Sequence, residues 1–237
     1  MAAPAPWTPR LPLWVRVFAW LGGQWAFRSE RRAARLLQGF ACTEEQSQLE
    51  LRQAARDCPD ERRRARYLRH ALDETRHAHA FSEHARGLAR AAGAAGFAPP
   101  SAGCERLYER LGELRFLAFV HVGEQRGRAE FETYARLLRK RGAGATAQLF
   151  EDLIADERQH EAYTAQLLNE LAGADGARRA VRWVRRWQAW REFRRRGRRL
   201  ARTLYNVTML FVYVTLAPFA LTLRLFGKPQ RGFSREF

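Results

Sequence analysis

The sequence predicts an all-α protein built on a bundle of four helices, and three observations predict it. Apolar residues recur at helical spacing through four long stretches, and no segment alternates at period two for long enough to make a strand. The pattern Asp-Glu-x-x-His occurs twice, as Asp73-Glu74-Thr75-Arg76-His77 and as Asp156-Glu157-Arg158-Gln159-His160. Each copy follows a further glutamate, Glu44 lying 30 residues before Glu74 and Glu124 lying 33 before Glu157. The chain reads as two copies of one helical hairpin.

The elements follow in order. Residues 1–28 form a Pro- and Trp-rich lead whose apolar run is interrupted by Arg16. A signal peptide has an uninterrupted apolar centre and small residues at a cleavage site, so this lead is expected to lie in a membrane interface instead. Helical periodicity starts at Ser29, a candidate N-cap, and puts Leu36, Leu37, Phe40, Leu51 and Ala55 on the face of Glu44. Cys58-Pro59-Asp60 breaks that helix, and a second runs from about Glu61 to Arg90 with Leu68, Ala71 and Phe81 beside the first Glu/His pair. The Gly-, Ala- and Pro-rich stretch 91–103 is the crossover between halves.

A third helix is expected from about Cys104 to Arg139, with Phe116, Leu117, Val120, Phe131 and Ala135 beside Glu124. Gly142-Ala143-Gly144 makes a turn, the fourth helix runs from about Thr146 to Leu171, and Gly173 to Gly176 ends it. The bundle so defined spans 29–174. A basic amphipathic segment at 178–202 and an apolar membrane-associated segment at 203–226 follow.

Superposing Glu44 on Glu124 also sets Leu37 on Leu117, Phe40 on Val120, Ser47 on Gly127, Glu50 on Glu130, Leu51 on Phe131 and Ala55 on Ala135. This register favours Glu44 over Glu45, because a shift by one places Arg52 where the core needs Leu51. Glu45-Gln46 nevertheless echoes Glu124-Gln125, so that alternative stays open.

Residues three apart share a helix face, so each Glu-x-x-His points a carboxylate and an imidazole the same way. A lone copy is weak evidence. Here both copies carry Asp before the Glu, and both follow a glutamate flanked by large apolar residues at −4, −7, −8 and +7. Exposing Glu44 and Glu124 would expose the core with them. Buried carboxylates need partners, and metal ions supply them. Four carboxylates and two histidines suit iron or manganese. His70, His84 and His121 are expected to be satisfied core or boundary histidines, and Tyr163 a packing residue.

This pattern resembles the ferritin-like di-iron carboxylate superfamily, with Glu, Glu-x-x-His, Glu, Glu-x-x-His on four consecutive helices; the match covers about residues 30–171. The resemblance implies two Fe ions (Mn as the alternative), with Glu44, Glu74 and His77 serving one and Glu124, Glu157 and His160 the other. Glu74 and Glu157 would bridge. Asp73 and Asp156 are candidates for groups that accept the other ring N–H of a ligand histidine.

The net charge of +17 is concentrated: residues 178–202 hold twelve arginines against the single Glu192. Thr203 to Leu223 then runs 21 residues without a charge, the length of a bilayer's hydrocarbon core. Trp183, Trp187, Trp190 and Phe193 interleave the arginines. Arginines with aromatics also suit nucleic acid, but the adjoining apolar run favours lipid headgroups. Three cysteines, with no CxxC, indicate a reducing compartment and no disulfide framework or rubredoxin-type site.

The function expected is therefore a di-iron oxidoreductase at the cytoplasmic face of a membrane, such as the bacterial inner membrane. It would activate O2 toward a lipophilic substrate and draw electrons from a separate donor. The alternatives are a ferroxidase or peroxide-scavenging rubrerythrin-like protein, an RNA-modifying di-iron hydroxylase, and a membrane adaptor on a scaffold without chemistry.

Overall fold

The computed structural model describes residues 12–226, with the side chains of 223–226 set aside. Residues 1–11 of the expected interfacial lead lie outside the described residues. The chain is all-helical, with no strand among the described residues: α1 Leu13–Ala26, α2 Glu30–Asp57, α3 Glu61–Ala91, α4 Leu107–Leu111, α5 Glu113–Lys140 and α6 Gly144–Phe226. It divides into two compact units at Arg185/Arg186. That boundary falls inside the basic stretch 178–202.

In the first unit, α2 and α3 form a hairpin across Cys58-Pro59-Asp60. Asp60 caps α3 by accepting the Arg63 N–H at 2.8 Å. Ser29 precedes α2 in an extended conformation, but its side chain makes no capping bond. The crossover then retraces the length of α2. Arg31 donates to Ala92 O, Gln38 to Ala98 O at 3.1 Å, and the Glu50 carboxylate accepts N–H groups from Glu105 and, at 2.8 Å, Leu107. Glu50, which the repeat pairs with Glu130, thus holds the crossover's end.

The expected third helix is two. Gly112, at φ 74°, ψ 158°, separates the single turn α4 from α5, and Arg106 enters α4 in the left-handed region at φ 55°. Glycine carries no steric penalty at positive φ, so the break sits where it is cheapest. Gly173 likewise interrupts α6 at φ 62°, ψ 173°. The chain does not stop there, because Ala177, Ala180, Val181 and Val184 are buried beyond it. Leu68, expected in the core, is exposed; Tyr67, seven residues before Glu74, is fully buried instead.

Side chains of α2, α3, α5 and the start of α6 meet in one aromatic core. Phe81 packs on Phe40, Phe131 and Phe150 with ring centroids 5.3–5.7 Å apart. Helix α1 lies on α5 through Val15, Ala19, Gly23 and Ala26. A Cβ on Gly23 would sit 2.9 Å from Tyr134 and Leu137, so only glycine permits this approach. The opposite face of α1 exposes Leu13, Trp14, Val17, Phe18, Leu21 and Trp25.

The second unit continues α6 from Arg186. Arg191 stacks over Trp187 at 4.6 Å, and Trp190 stacks on Phe193 at 5.9 Å. Leu204, Leu210, Phe211, Val214, Leu216, Phe219 and Leu221 are all exposed. This is the one candidate membrane span among the described residues, by length and composition.

Glu50→Ala removes a charged acceptor from two backbone N–H groups. It is expected to cost about 3–6 kcal/mol of stability, since bonds to charged groups contribute roughly 1.5–3 kcal/mol each. Chemical denaturation measures the loss.

Candidate metal centre

Four helices each carry one carboxylate into the same interior. Glu44 comes from α2, Glu74 with His77 from α3, Glu124 from α5, and Glu157 with His160 from α6. All six side chains are buried, at 1–8% exposure. The helical period explains the convergence: large apolar residues one and two turns away pin each glutamate inward. Glu45 does not join them; it is half-buried and accepts from Gln48 Nε2 at 3.2 Å.

The two histidines are held in a crossed arrangement. His77 Nε2 lies 3.2 Å from Asp156 Oδ2, and His160 Nε2 lies 3.1 Å from Asp73 Oδ2. Each aspartate therefore supports the histidine of the other half. A carboxylate only accepts, so each Nε2 carries a hydrogen, and in the neutral form of either ring Nδ1 presents its lone pair. Both Nδ1 atoms are buried without a hydrogen-bond partner. Their nearest acidic neighbours are the cage carboxylates, with His77 Nδ1 3.7 Å from Glu157 Oε1 and His160 Nδ1 3.4 Å from Glu124 Oε2. Arg76 pairs with Asp73 and reaches Asp156 at 3.8 Å, joining the two aspartates from outside.

A seventh residue enters the cage. His70, one turn before Glu74, places Nε2 2.7 Å from Glu74 Oε1 and 3.4 Å from Glu124 Oε1. Its Nδ1 is 2.6 Å from the Tyr163 hydroxyl. One donor atom each from His70, Glu74, Glu124 and His160 lie within 4.8 Å of one another, so this group can hold a metal ion. His70 is, as expected, a buried histidine with both ring nitrogens partnered, and it also belongs to this group; Tyr163 does more than pack, since its hydroxyl meets His70. The readable signal was the spacing: His70, Glu74 and His77 stand at i, i+4 and i+7, one face of α3. His121 and His84 instead pair with Thr164 and Thr146, both at 2.9 Å.

Burial, with neighbouring carboxylates, pushes Glu74 and Glu157 well above the usual carboxylate range. Glu44 is among the groups acting on Glu74, and Glu124 among those acting on Glu157. Burial likewise raises Glu44, to about 7. Burial acts on Glu124 too, but His70 and His160 outweigh it and bring that group down to about 2. Burial lowers His70 to about 3 and lowers His77 against the pull of Asp156. Burial opposes charge on His160 as well, yet Glu124 and Asp73 prevail and raise it.

Carboxylate oxygens, inward-directed imidazole lone pairs and second-nitrogen partners together make a donor set that fits metal ions. Oxygen-rich coordination with a few imidazoles suits iron or manganese over copper or structural zinc. Outside the cage, Arg185 donates to Gln125, Gln125 to Glu161 at 3.2 Å, and Arg128 to Glu161 at 2.8 Å. This lattice braces the neighbours of Glu124 and His160. No protein-family model, curated protein or solved structure matches the chain.

Two outcomes follow from this geometry. Asp156→Asn is expected to weaken metal binding about 10–100-fold through His77, the histidine of the other half; competition with a chelator measures it. The second concerns pH. Glu44, Glu74, Glu157 and His160 have raised values, so the metal-free fold loses stability as pH climbs through them. The lowered histidines matter only below their ordinary value of 6.5. Metal-free protein is thus expected to melt at a lower temperature at about pH 8 than at about pH 6.5, while metal-loaded protein, whose ligands are already deprotonated, keeps its melting temperature.

Proposed function

We propose that the chain is a membrane-associated dinuclear metal oxidoreductase of ferritin-like di-iron carboxylate type, which activates O2 toward a lipophilic substrate. One observation carries the metal reading. Two histidines bury unpartnered Nδ1 atoms among four carboxylates while aspartates hold their Nε2 atoms. A histidine kept only for packing would gain nothing from such an orphan, which costs about 1–3 kcal/mol.

Glu44, Glu74, His77, Glu124, Glu157 and His160 would hold the ions, joined by His70. Bound as Fe(II), the pair supplies one electron from each ion to dioxygen. The residues of the chain do the rest. Asp73 and Asp156 fix the ring orientation and tautomer of the two histidines. The packed Phe40, Phe81, Phe131 and Phe150 cluster stands one or two helical turns from Glu44, Glu74, Glu124 and Glu157 and surrounds that side with hydrocarbon. Carboxylates and imidazoles bind a cation in their deprotonated forms, so loading would release protons.

The setting is argued from exposed apolar surface. The segment 203–222 is a helix of bilayer length with its apolar side chains uncovered, preceded by arginines and tryptophans suited to an anionic headgroup layer. The outer face of α1 adds seven large apolar side chains, Trp20 among them, and is interrupted only by Arg16 and Gln24. An iron-storage protein has no use for these surfaces; an enzyme whose substrate dissolves in lipid does. Positive charge beside the span supports a cytoplasmic position for the bundle. With no CxxC site in the chain, electrons would come from a separate donor.

Full-length protein purified with iron is expected to carry two ions per chain, and Glu74→Ala and His160→Ala to lose most of them. Retention of the wild-type content in both variants would sink the metal reading. Reduced protein given O2 should oxidise a component of added membrane lipid, detected by mass spectrometry. Oxygen uptake with iron oxidation alone, and no altered lipid, would indicate a ferroxidase. Truncation after Arg185 is expected to move the chain from the membrane pellet to the supernatant; continued sedimentation would refute the tail as the anchor.

A further inference from the structure

The duplicated hairpin supplies equal halves, with Glu44 matching Glu124, Glu74 matching Glu157 and His77 matching His160. His70 breaks the equality. The position 83 residues later, where the spacing of Glu74 and Glu157 would put its twin, is Leu153, a buried core residue. One half of the cage therefore has an imidazole that the other half replaces with hydrocarbon.

The contacts show which carboxylates His70 joins. Its Nε2 lies 3.4 Å from Glu124, and its ring is 3.7 Å from that of His160, centroid to centroid. His160 Nδ1 approaches the same Glu124 at 3.4 Å. His77 Nδ1 has Glu157 as its carboxylate neighbour instead, at 3.7 Å. Glu74 stands between the groups, 2.7 Å from His70 Nε2 and facing Glu44.

Resting on the dinuclear reading above, we infer that the cage offers two unlike metal positions. One is built by His70, Glu124 and His160 and has two imidazoles. The other is built by Glu44, His77 and Glu157 and has one, with Glu74 available to both. Tyr163 is the positioning residue of the first. For His70 Nε2 to present a lone pair inward, Nδ1 must carry the hydrogen, and the Tyr163 hydroxyl 2.6 Å away accepts it. His77 and His160 present Nδ1 and are held through Nε2 by aspartates; His70 is turned the other way round and held by a phenol.

Unlike donor sets sort unlike ions. Imidazole favours zinc and iron, whereas carboxylate-rich positions accept manganese. The two-imidazole position should therefore take the nitrogen-preferring ion of a mixture. Distribution among species reads this directly, without any turnover.

The test uses the full chain in detergent micelles, given one zinc ion per chain and then excess manganese, and weighed by native mass spectrometry. Unlike positions are expected to yield the mixed zinc–manganese species almost alone. Two equivalent, independent positions would instead give roughly a 1:2:1 distribution of dizinc, mixed and dimanganese protein by mass action. His70→Ala and the bulkier His70→Gln, checked for retained helix by circular dichroism, should both drift toward the statistical distribution. Tyr163→Phe keeps the ring and loses the acceptor; it should weaken zinc binding about 10–100-fold in chelator competition while His70 remains. A statistical distribution in the wild-type protein overturns the inference and leaves the dinuclear reading intact. So does a mixed species that persists in both His70 variants. A wild-type chain that binds neither ion overturns both.

Discussion

Four glutamates from four helices share one dry interior, and the rest of this molecule is arranged around the cost of that. Taking an ion out of water costs several kcal/mol even after relaxation, against a total stability of about 5–15 kcal/mol for a domain. Four uncompensated carboxylates would unfold the bundle. Burial and the neighbouring carboxylates push Glu74 and Glu157 well above the usual carboxylate range, the direction that relieves this cost.

The surrounding residues keep the cage from relaxing. If the histidines could turn, their Nδ1 atoms would find a partner and the orphaned lone pairs would disappear. Asp73 and Asp156 prevent it, and because each reaches across to the opposite hairpin, neither half can be oriented alone. Arg76 then binds the two aspartates, and the Gln125–Glu161–Arg128 lattice anchors the far side. The centre is a property of the paired hairpins, not of either one.

Much of this was legible in the sequence because helices write their inward faces at fixed spacing. The repeated Glu-x-x-His and the register of Leu37, Leu51, Leu117 and Phe131 located six cage residues before any coordinates. That His70 also belongs to the cage was not legible, for a physical reason. A histidine two turns from another on an apolar face is usually a satisfied core residue, and nothing in one sequence shows that the partner at the opposite nitrogen is a tyrosine 93 residues away. The chain breaks were missed for another. Gly112 and Gly173 look alike as helix enders, but whether the chain stops, turns or resumes depends on what waits to be packed on the far side. After Gly173 that is Ala177, Val181 and Val184, whose burial outweighs the broken turn; the basic stretch accordingly begins inside the bundle and not after it.

Arg185 donates to Gln125, the neighbour of Glu124, and Arg186 opens the unit that carries the arginines and the apolar helix. The element α6 carries Glu157 and His160 before the Gly173 break and buried Ala177, Val181 and Val184 after it. Its register is fixed within the bundle by burial on both sides of the Gly173 break. A residue inserted between Gly173 and Ala177 would rotate buried Val181 and Val184 against their surroundings by about 100° around the axis, the angle of one residue in a helix of 3.6 per turn, and so expose apolar surface or displace Glu157 and His160 from theirs. The cage and the start of the basic segment are thus under one packing constraint, although they belong to different chemistry.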